Sequence, residues 1–297
     1  MASEQLKTVL ELVGSADLGT LTLQERRALM GSASTPPEGT QVDPVDANGV
    51  PAEWVVAAGV TAGRVVLYFH GGGYHFGSPA RLRGLLALLS AAAQARVLSA
   101  SYRLAPEHPF PAAVEDALTA YRWLIVGGTP ARQVVISGDS SGGGLALAAL
   151  VALRDAGDPL PGAAVVISPW TDLDLGGESL RSRAAADVML TPDGAREAAD
   201  WYLAGQDARH PYASPLYADL HGLPPVLIQA GDAEILRDDS TRFAAAAQAA
   251  GVDVTLEIWA EMPHVWHAFA GLLPEADEAV ERIGRWLRED RPPGDGA

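Results

Sequence analysis

A serine flanked by glycines stands where a β-branched run meets a run of strong helix formers. The motif is Gly-x-Ser-x-Gly, made by Gly138, Ser140 and Gly142. This context predicts a strand, a tight turn and a helix, with the serine hydroxyl at the tip of the turn. The N–H of Ser141 at the helix start would then lie beside any oxygen bound there, as oxyanion stabilisation requires. The motif alone fits an ordinary tight turn equally well, and no Gly-Lys-Ser/Thr follows that would indicate a phosphate loop.

A second glycine-rich segment offers backbone donors. His70-Gly71-Gly72-Gly73 follows directly on Val65–Phe69, a continuously apolar run typical of a strand buried on both faces. Glycines at the end of such a strand let the backbone approach a ligand and present N–H groups to it, as in an oxyanion hole. An ordinary glycine turn is the alternative. We expect His70 to hold this loop in shape rather than to act as a base.

A general base and carboxylates follow two later strands. Asp232 and Glu234 come after the apolar run 225–230, and His264 comes after the run 252–259. A serine nucleophile needs a histidine within hydrogen-bond reach and a carboxylate that orients the histidine. In open α/β sheets, function collects at the carboxyl ends of the strands. We therefore expect the serine, His264 and one of the two carboxylates to meet at one edge of a sheet.

The elements that must position these side chains alternate between strand and helix. Apolar and β-branched runs predict strands at residues 54–58, 64–69, 96–100, 134–137, 162–167, 225–230 and 252–259. Helical spacing predicts helices at residues 82–94, 113–124, 145–151, 240–250 and 275–287, with a frayed tail from residue 288. This order is typical of a doubly wound α/β fold, with a mostly parallel sheet and helices on both faces.

Two stretches without a predicted strand indicate a helical cap. Residues 3 to about 31 have helical spacing and are followed by a connector rich in Pro, Gly and Thr. Segments 178–186 and 195–203 are helical with no strand between them. The predicted organisation is N-terminal helices that contribute to the cap in residues 1–45, an α/β core in residues 46–172 and 219–297, and a cap excursion in residues 173–218.

Composition excludes several classes of function. The 297 residues include 37 acidic residues against 21 lysines and arginines, and this net charge of −16 argues against binding to nucleic acid or to an anionic membrane. The chain has no cysteine, which excludes disulfides, a thiol nucleophile and cysteine metal sites. The histidines show no metal-ligand spacing, so we expect no metal and no other cofactor. With no visible leader and no apolar stretch long enough to span a bilayer, we expect a cytoplasmic protein with a small-molecule substrate.

Segments 70–73, 102–107, 138–143 and 262–264 together resemble the hormone-sensitive-lipase-like (bacterial family IV) carboxylesterases of the α/β-hydrolase superfamily. The chain order serine, acid, histidine is also the order in that superfamily. The resemblance covers about residues 50–290 and implies an α/β-hydrolase fold with a sheet of the eight-stranded type and a helical cap. It implies that Ser140 is the nucleophile and His264 the base. It also implies that the N–H groups of Gly71, Gly72 and Ser141 form the oxyanion hole.

The resemblance leaves the acid to be chosen. The family usually shows Asp-Pro-Leu-Arg-Asp after this strand, with the first Asp catalytic. The register set by residues 236–238 puts Glu234 at that position and Ile235 where the proline would stand. We therefore expect Glu234 to be the acid, with Asp232 as its competitor.

Other polar side chains near these motifs have expected structural roles. Arg103 and Glu107 are expected to pair and so fix their proline-rich loop. The two aspartates that follow the acid, Asp238 and Asp239, are expected to cap or solvate the next helix. His75, beside the glycine loop, is a candidate substrate contact, and His267 is expected to be a core or surface histidine.

Two classes of function remain. The first is a carboxylic ester hydrolase working through an acyl-enzyme on short- to medium-chain esters, because Trp201 and Tyr202 in the cap predict a modest acyl pocket. The alternative is a non-hydrolytic or metabolite-specific member of the fold: a dehydratase, a tailoring acyl hydrolase or a receptor. The intact Ser140, His264 and acid argue against a receptor. The edge strand 252–259 also predicts a homodimer formed by strand pairing.

Overall fold

A mostly parallel sheet crosses the protein and carries the predicted chemistry at one end of its strands. The computed structural model describes residues 3–14, 21–61 and 63–290. In these ranges the strands are β1 (Gln41–Asp46), β2 (Pro51–Val56), β3 (Val65–Phe69), β4 (Arg96–Ala100), β5 (Val134–Asp139), β6 (Ala163–Ile167), β7 (Val226–Gly231) and β8 (Val254–Trp259).

The strand order is β1-β2-β4-β3-β5-β6-β7-β8. β2 pairs antiparallel with both β1 and β4, and the pairs from β4 to β8 are all parallel. β3, β5, β6 and β7 are buried along their whole length, as parallel strands covered on both faces must be. The predicted α/β sheet is confirmed.

Helices cover both faces of the sheet. One buried apolar cluster packs α4 (Ala112–Val126), α5 (Ser141–Ala156) and α8 (Arg237–Ala249) on one face. A second cluster packs α3 (Arg83–Ala93) and α9 (Pro274–Arg285) on the other face. These helices provide the crossovers that parallel pairing requires, and the short connections bring the carboxyl ends of the strands to one edge.

The N-terminal region differs in part from the expectation. The helical prediction for residues 3 to about 31 is met by α1 (Glu4–Gly14) and α2 (Leu23–Met30), while residues 15–20 lie outside the described ranges. The connector that follows contains β1, which forms a hairpin with β2. Pro44 is tolerated there because β1 is an edge strand, where a missing N–H breaks no ladder.

The cap excursion contains less helix than its sequence predicted. Only α6 (Ser179–Ser182) forms where residues 178–186 were expected to be helical. The second predicted helix is α7 (Pro192–Leu203), which starts with Thr191 as N-cap and Pro192 in its first turn.

The far edge of the sheet is β8. Pairing of this edge with a second copy stays a prediction. The expected frayed tail falls mainly on residues 291–297, which lie outside the described residues. None of the helices in the described ranges is long and apolar enough to cross a membrane.

Candidate active site

Ser140 lies at a strained turn between β5 and α5. Its φ is +54° and its ψ is −124°, a conformation that non-glycine residues rarely adopt. The turn requires a residue without a side chain at Gly142, because a Cβ there would overlap the carbonyl oxygens of Phe69 and His70. The strand–turn–helix predicted from Gly-x-Ser-x-Gly is confirmed, and it holds the Ser140 hydroxyl at the end of the sheet.

A continuous chain of hydrogen bonds leads from Ser140 to a buried carboxylate. The Ser140 hydroxyl lies 2.9 Å from His264 Nε2, and Nδ1 of the same ring lies 2.5 Å from Glu234 Oε2. The second oxygen of Glu234 accepts the N–H of Gly231 at 3.0 Å. Because an ionised carboxylate only accepts, Nδ1–H donates to Glu234, and Nε2 is left to accept the serine proton. This arrangement can remove a proton from Ser140.

Burial of these groups sets their electrostatics. The exposed fractions are 8% for Ser140, 3% for His264 and 0% for Glu234. Burial by itself would lower the pKa of His264, but the charge and the hydrogen bond of Glu234, together with other nearby carboxylates, outweigh it and raise the pKa above the ordinary value. Nearby, Asp187 and Asp139 act in the same direction. The imidazole is therefore a stronger base than a solvated histidine.

The competitor for the acid position is engaged elsewhere. Asp232 Oδ1 accepts hydrogen bonds from Arg183 and Arg237, each at 3.0 Å. The structure thus brings Glu234, and not Asp232, against His264. Gly231 makes this approach possible, because a Cβ there would overlap the Met262 carbonyl oxygen.

Strained backbone also flanks the histidine. Val265, directly after His264, has a φ of +50°, which is rare for a β-branched residue. Its N–H donates to the hydroxyl of Ser168 at 3.2 Å, and Ser168 itself has a φ of +46°. Such strain persists only where the surrounding structure holds it, so the position of the imidazole is closely determined.

The glycine loop does not present its amides as the sequence implied. Gly71 N–H donates to Asp139 Oδ1 at 3.1 Å, and the same oxygen accepts the Tyr68 hydroxyl at 2.9 Å. The expected use of Gly71 as an oxyanion donor is therefore wrong in this structure, because its N–H is already bonded to a carboxylate. Among the described residues, the amides of Gly72, Gly73 and Ser141 have no acceptor.

His70 has the structural role expected of it. Its Nδ1 lies 2.8 Å from the Gly71 carbonyl oxygen, and its ring stacks on Tyr102 with centroids 4.4 Å apart. The Tyr102 hydroxyl donates to the His70 carbonyl at 2.6 Å. Burial lowers the pKa of His70 to about 4, so the ring is neutral near pH 7 and fixes the loop by shape.

A cavity of about 760 Å³ opens beside Ser140. The wall residues come from the N-terminal segment, the glycine loop, α3, the cap and the loop after His264: Met30, residues 32–37, residues 70–73, residues 76–78, Arg81, Leu82, Gly84, Leu85, Leu88, Asp139, Met189, Leu190 and residues 264–265 and 268–271. A mostly apolar cleft with a few convergent polar groups is the usual form of a small-molecule site.

Comparison with known proteins agrees with this geometry. The sequence model of the α/β hydrolase fold named Abhydrolase_3 matches residues 66–268. An acetyl-hydrolase of Streptomyces hygroscopicus is 47% identical over 97% of this chain and 97% of its own length. The crystal structure of an esterase from the bacterial hormone-sensitive lipase family is 45% identical, with a TM-score of 0.94 over 98% of this chain and 99% of that one.

The chain belongs to the hormone-sensitive-lipase-like esterases of the α/β-hydrolase family. It is a carboxylesterase. An esterase of Acinetobacter venetianus is also similar, with 35% identity over 83% of this chain and 81% of the relative.

Asp187 is a site residue of this esterase that the sequence reasoning missed. Its Oδ1 accepts the N–H groups of Met189 and Leu190, each at 2.9 Å, and these two residues line the cavity. Its Oδ2 accepts the N–H of Ile235 at 2.8 Å, directly after Glu234. One buried carboxylate thus joins the cavity wall to the acid loop. The local signal is an Asp whose side chain bonds backbone N–H groups two and three residues on, which is typical of turns.

Two expected wall residues face elsewhere in the esterase. Trp201 and Tyr202 are absent from the cavity lining, so the expectation that they shape the acyl pocket is wrong. Tyr202 is fully buried and stacks on Tyr74 with ring centroids 3.7 Å apart. Trp201 packs edge-on against His75. The apolar face of α7 packs into the core, and within residues 173–218 the cavity is lined by Met189 and Leu190.

The expected ion pair of the proline-rich loop is wrong. Arg103 pairs with Asp116 at 2.8 Å and with Glu115 at 2.9 Å. Glu107 pairs instead with Arg27 of α2 at 2.7 Å. The turns after Arg103 carry Glu107 to the surface, where the N-terminal helix reaches it.

The two aspartates after the acid also differ from expectation. Asp239 is buried and accepts the N–H groups of Thr171 and Asp172, each at 2.8 Å. Asp238 accepts the N–H of Ser179 at 2.9 Å. Both residues therefore fix the start of the cap excursion to α8 rather than solvate the helix.

The remaining histidines near the site are structural in their contacts. His75 is buried, with Nδ1 2.9 Å from the Gly73 carbonyl oxygen, and it does not line the cavity. His267 is fully buried, with Nε2 2.7 Å from Gln229 Oε1, and burial lowers its pKa to about 3. In the described residues no group of three His, Asp or Glu side chains is arranged to hold a metal ion.

Proposed function

We propose that this esterase hydrolyses short- to medium-chain carboxylic esters through an acyl-enzyme on Ser140. His264 takes the hydroxyl proton as Ser140 Oγ forms a bond to the ester carbonyl carbon. The tetrahedral intermediate collapses, the C–O bond to the alcohol breaks, and His264 returns the proton to the leaving oxygen. Water then attacks the acyl carbon with His264 again as base, the bond between that carbon and Ser140 Oγ breaks, and His264 returns the proton to Ser140 as the carboxylic acid leaves.

The observation that carries this proposal is the hydrogen-bonded chain of Ser140, His264 and Glu234. Each member has its exposed fraction at or below 8%, so the proton transfer takes place out of bulk water. Glu234 stays ionised, holds the imidazole with Nδ1 protonated and stabilises the imidazolium that forms. The raised pKa of His264 supports its role as base.

The proposed oxyanion hole consists of the N–H groups of Gly72, Gly73 and Ser141. Gly73 takes the place of Gly71 in the set that the family resemblance implied. These amides have no acceptor among the described residues, whereas the Gly71 amide is bonded to Asp139. Ser141 also begins α5, where the partial positive charge of the helix favours an anion. Donors of this kind contribute roughly 10²–10³ in kcat each.

Cavity size and the similar proteins support short acyl groups. The cavity volume of about 760 Å³ must hold both the acyl and the alcohol parts of a substrate. One similar protein is named an acetyl-hydrolase. The crystal structure of another, 47% identical, was determined with p-nitrophenyl butyrate soaked in. Acetyl to butyryl esters are therefore the expected preferred range.

The test is hydrolysis of p-nitrophenyl esters from acetate to dodecanoate by the wild type and by Ser140→Ala. The wild type should prefer the short esters, and Ser140→Ala should lose about 10⁶ in kcat while keeping its melting temperature. A fluorophosphonate probe should label the wild type at Ser140 and leave the variant unlabelled. A folded wild type that turns over no ester and takes no label would overturn the proposal in favour of a dehydratase or a receptor.

A further inference from the structure

One positively charged side chain in the cavity wall, that of Arg81, has no role in the proposed mechanism. Arg81 lies in the short 3-10 turn Pro79–Leu82 and lines the same cavity as Ser140 and His264. Among the described residues of the lining, Arg81 is the only lysine or arginine. Arg81 is solvent-exposed, so a bound molecule can reach its guanidinium from the cavity without displacing a protein group.

The neighbouring arginines are neutralised and Arg81 is not. Arg83 pairs with Glu53 at 2.7 Å, and Arg27 pairs with Glu107 at 2.7 Å. Within the part of the chain that the structure describes, the Arg81 side chain has neither an ion-pair partner nor a hydrogen bond. The chain has 37 acidic residues against 21 basic ones, so partners for a guanidinium are abundant elsewhere. Arg81 is thus the cation of this cavity wall whose charge is left for a ligand.

Asp139, whose carboxylate also lines the cavity, does not form an ion pair with Arg81. Asp139 uses its Oδ1 to accept the Tyr68 hydroxyl and the Gly71 N–H. Burial raises the pKa of Asp139 to about 6 despite these bonds. Desolvation lowers the pKa of Arg81, and the charge of Asp139 opposes that shift, yet a guanidinium stays protonated throughout the working range.

We propose that Arg81 is a specificity residue that favours esters carrying a carboxylate or a similar oxyanion away from the scissile bond. A guanidinium offers a planar fork of donors that matches a carboxylate. The ester carbonyl would lie at Ser140 while the anionic end of the substrate lies against Arg81 on the same cavity wall. The inference rests on the ester hydrolysis proposed above and adds a substrate class to it.

The negative net charge of the protein does not prevent Arg81 from attracting an anionic substrate at short range. A net charge of −16 disfavours the approach of anions in general. At physiological ionic strength that field is screened within about 8 Å, whereas a direct guanidinium–carboxylate contact acts at hydrogen-bond distance. Because Arg81 is exposed, we expect its effect on anion selectivity near the low end for charged hydrogen bonds, about 10-fold.

The experiment uses matched neutral and anionic esters. Para-acetoxybenzoate and its methyl ester place the charge on the alcohol side, and monoethyl adipate and diethyl adipate place it on the acyl side. The measured quantity is the ratio of kcat/KM for the anionic member to that for the neutral member of each pair. Arg81→Gln should lower this ratio about 10-fold in at least one pair, chiefly through KM, and Arg81→Glu should lower it further. Added salt should reduce the wild-type ratio.

Arg285→Gln is the matched control. Arg285 lies in the last turn of α9, outside the cavity lining, so the substitution changes the net charge equally without touching the site. The control should keep the wild-type ratio. An unchanged ratio in both pairs for Arg81→Gln, or an equal fall in the control, would overturn the inference while ester hydrolysis stands. If the wild type hydrolyses neither member of either pair, the inference fails, and the proposed function fails with it only if p-nitrophenyl butyrate is not hydrolysed either.

Discussion

The catalytic centre and the wall of its cavity are held in different ways. Ser140, His264 and Glu234 lie at the ends of core strands, and none has more than 8% of its surface exposed. Part of the wall instead follows α2, whose Arg27 reaches Glu107 through an ion pair with side chains 29% and 53% exposed. Buried backbone geometry thus fixes the chemistry, whereas solvent-screened charges contribute to the position of the wall. Changes on the two sides should therefore differ in size and in kind.

The largest effect should come from the buried acid. Glu234→Gln should lower kcat by about 10⁴-fold, because an amide no longer stabilises the imidazolium or holds Nδ1 as the donor. Asp232→Asn should change kcat by less than about five-fold, because Asp232 contacts only partly exposed arginines. Steady-state kinetics on p-nitrophenyl butyrate measures both. Comparable losses in the two variants would contradict the assignment of Glu234.

The second-largest effect should come from Asp187, the carboxylate that joins the cavity wall to the catalytic centre. Asp187→Asn should lower kcat/KM on the order of 10-fold, because an amide nitrogen cannot accept the Ile235 N–H and the acid loop shifts. His264 must be neutral to act as a base, and the negative charge of Asp187 helps to raise its pKa. Loss of that charge should lower the pKa of His264, so the acid limb of the pH profile should move to lower pH.

Asp46→Asn is the control for Asp187. Asp46 also accepts a backbone N–H, that of Gly49 at 2.6 Å, but in the exposed β1–β2 turn. Its substitution should leave the acid limb in place. An unmoved acid limb in Asp187→Asn, with activity lost only in proportion to melting temperature, would reduce Asp187 to a purely structural residue.

The smallest effect belongs to the wall itself. Arg27→Gln removes the pair with Glu107 and the bonds to the carbonyls of His75 and Ala105, each at 2.8 Å. Partly exposed pairs contribute about 0.2–1 kcal/mol, so KM should rise up to about five-fold, most for the longest esters that the wall must enclose. Arg122→Gln is the control, since Arg122 pairs with Asp158 outside the cavity lining. A fall in kcat larger than the rise in KM would contradict the separation of wall from centre.

Features made by contiguous residues were predictable from the sequence. The turn at Ser140 and the glycine loop follow from steric requirements within a few residues. The choice of Glu234 over Asp232 came from the family resemblance, through the register of residues 236–238. The parallel sheet followed from apolar runs that alternate with segments of helical spacing. Both patterns can be seen within short windows of the sequence.

Features made by distant residues were not predictable. Arg27 and Glu107 are 80 residues apart, and Asp239 and Thr171 are 68 apart. Separation along the chain does not decide which carboxylate an arginine meets: Arg103 pairs with Asp116, 13 residues away, rather than with the nearer Glu107. Contacts between distant residues also explain why α6 is shorter than the sequence predicted. Contacts of Ser179 with α8 and of Asp187 with the acid loop hold the chain where helical propensity alone would have continued it.

The distance along the chain between Ser140 and His264 also has a consequence for biosynthesis. The two residues are 124 positions apart, so a nascent chain that has not yet added its last strand has a serine but no base. Fragments that end before residue 264 should be inert towards every ester, however well their first strands have folded. Recovery of turnover after dilution from denaturant therefore requires that the loop after β8 has docked His264 against Ser140.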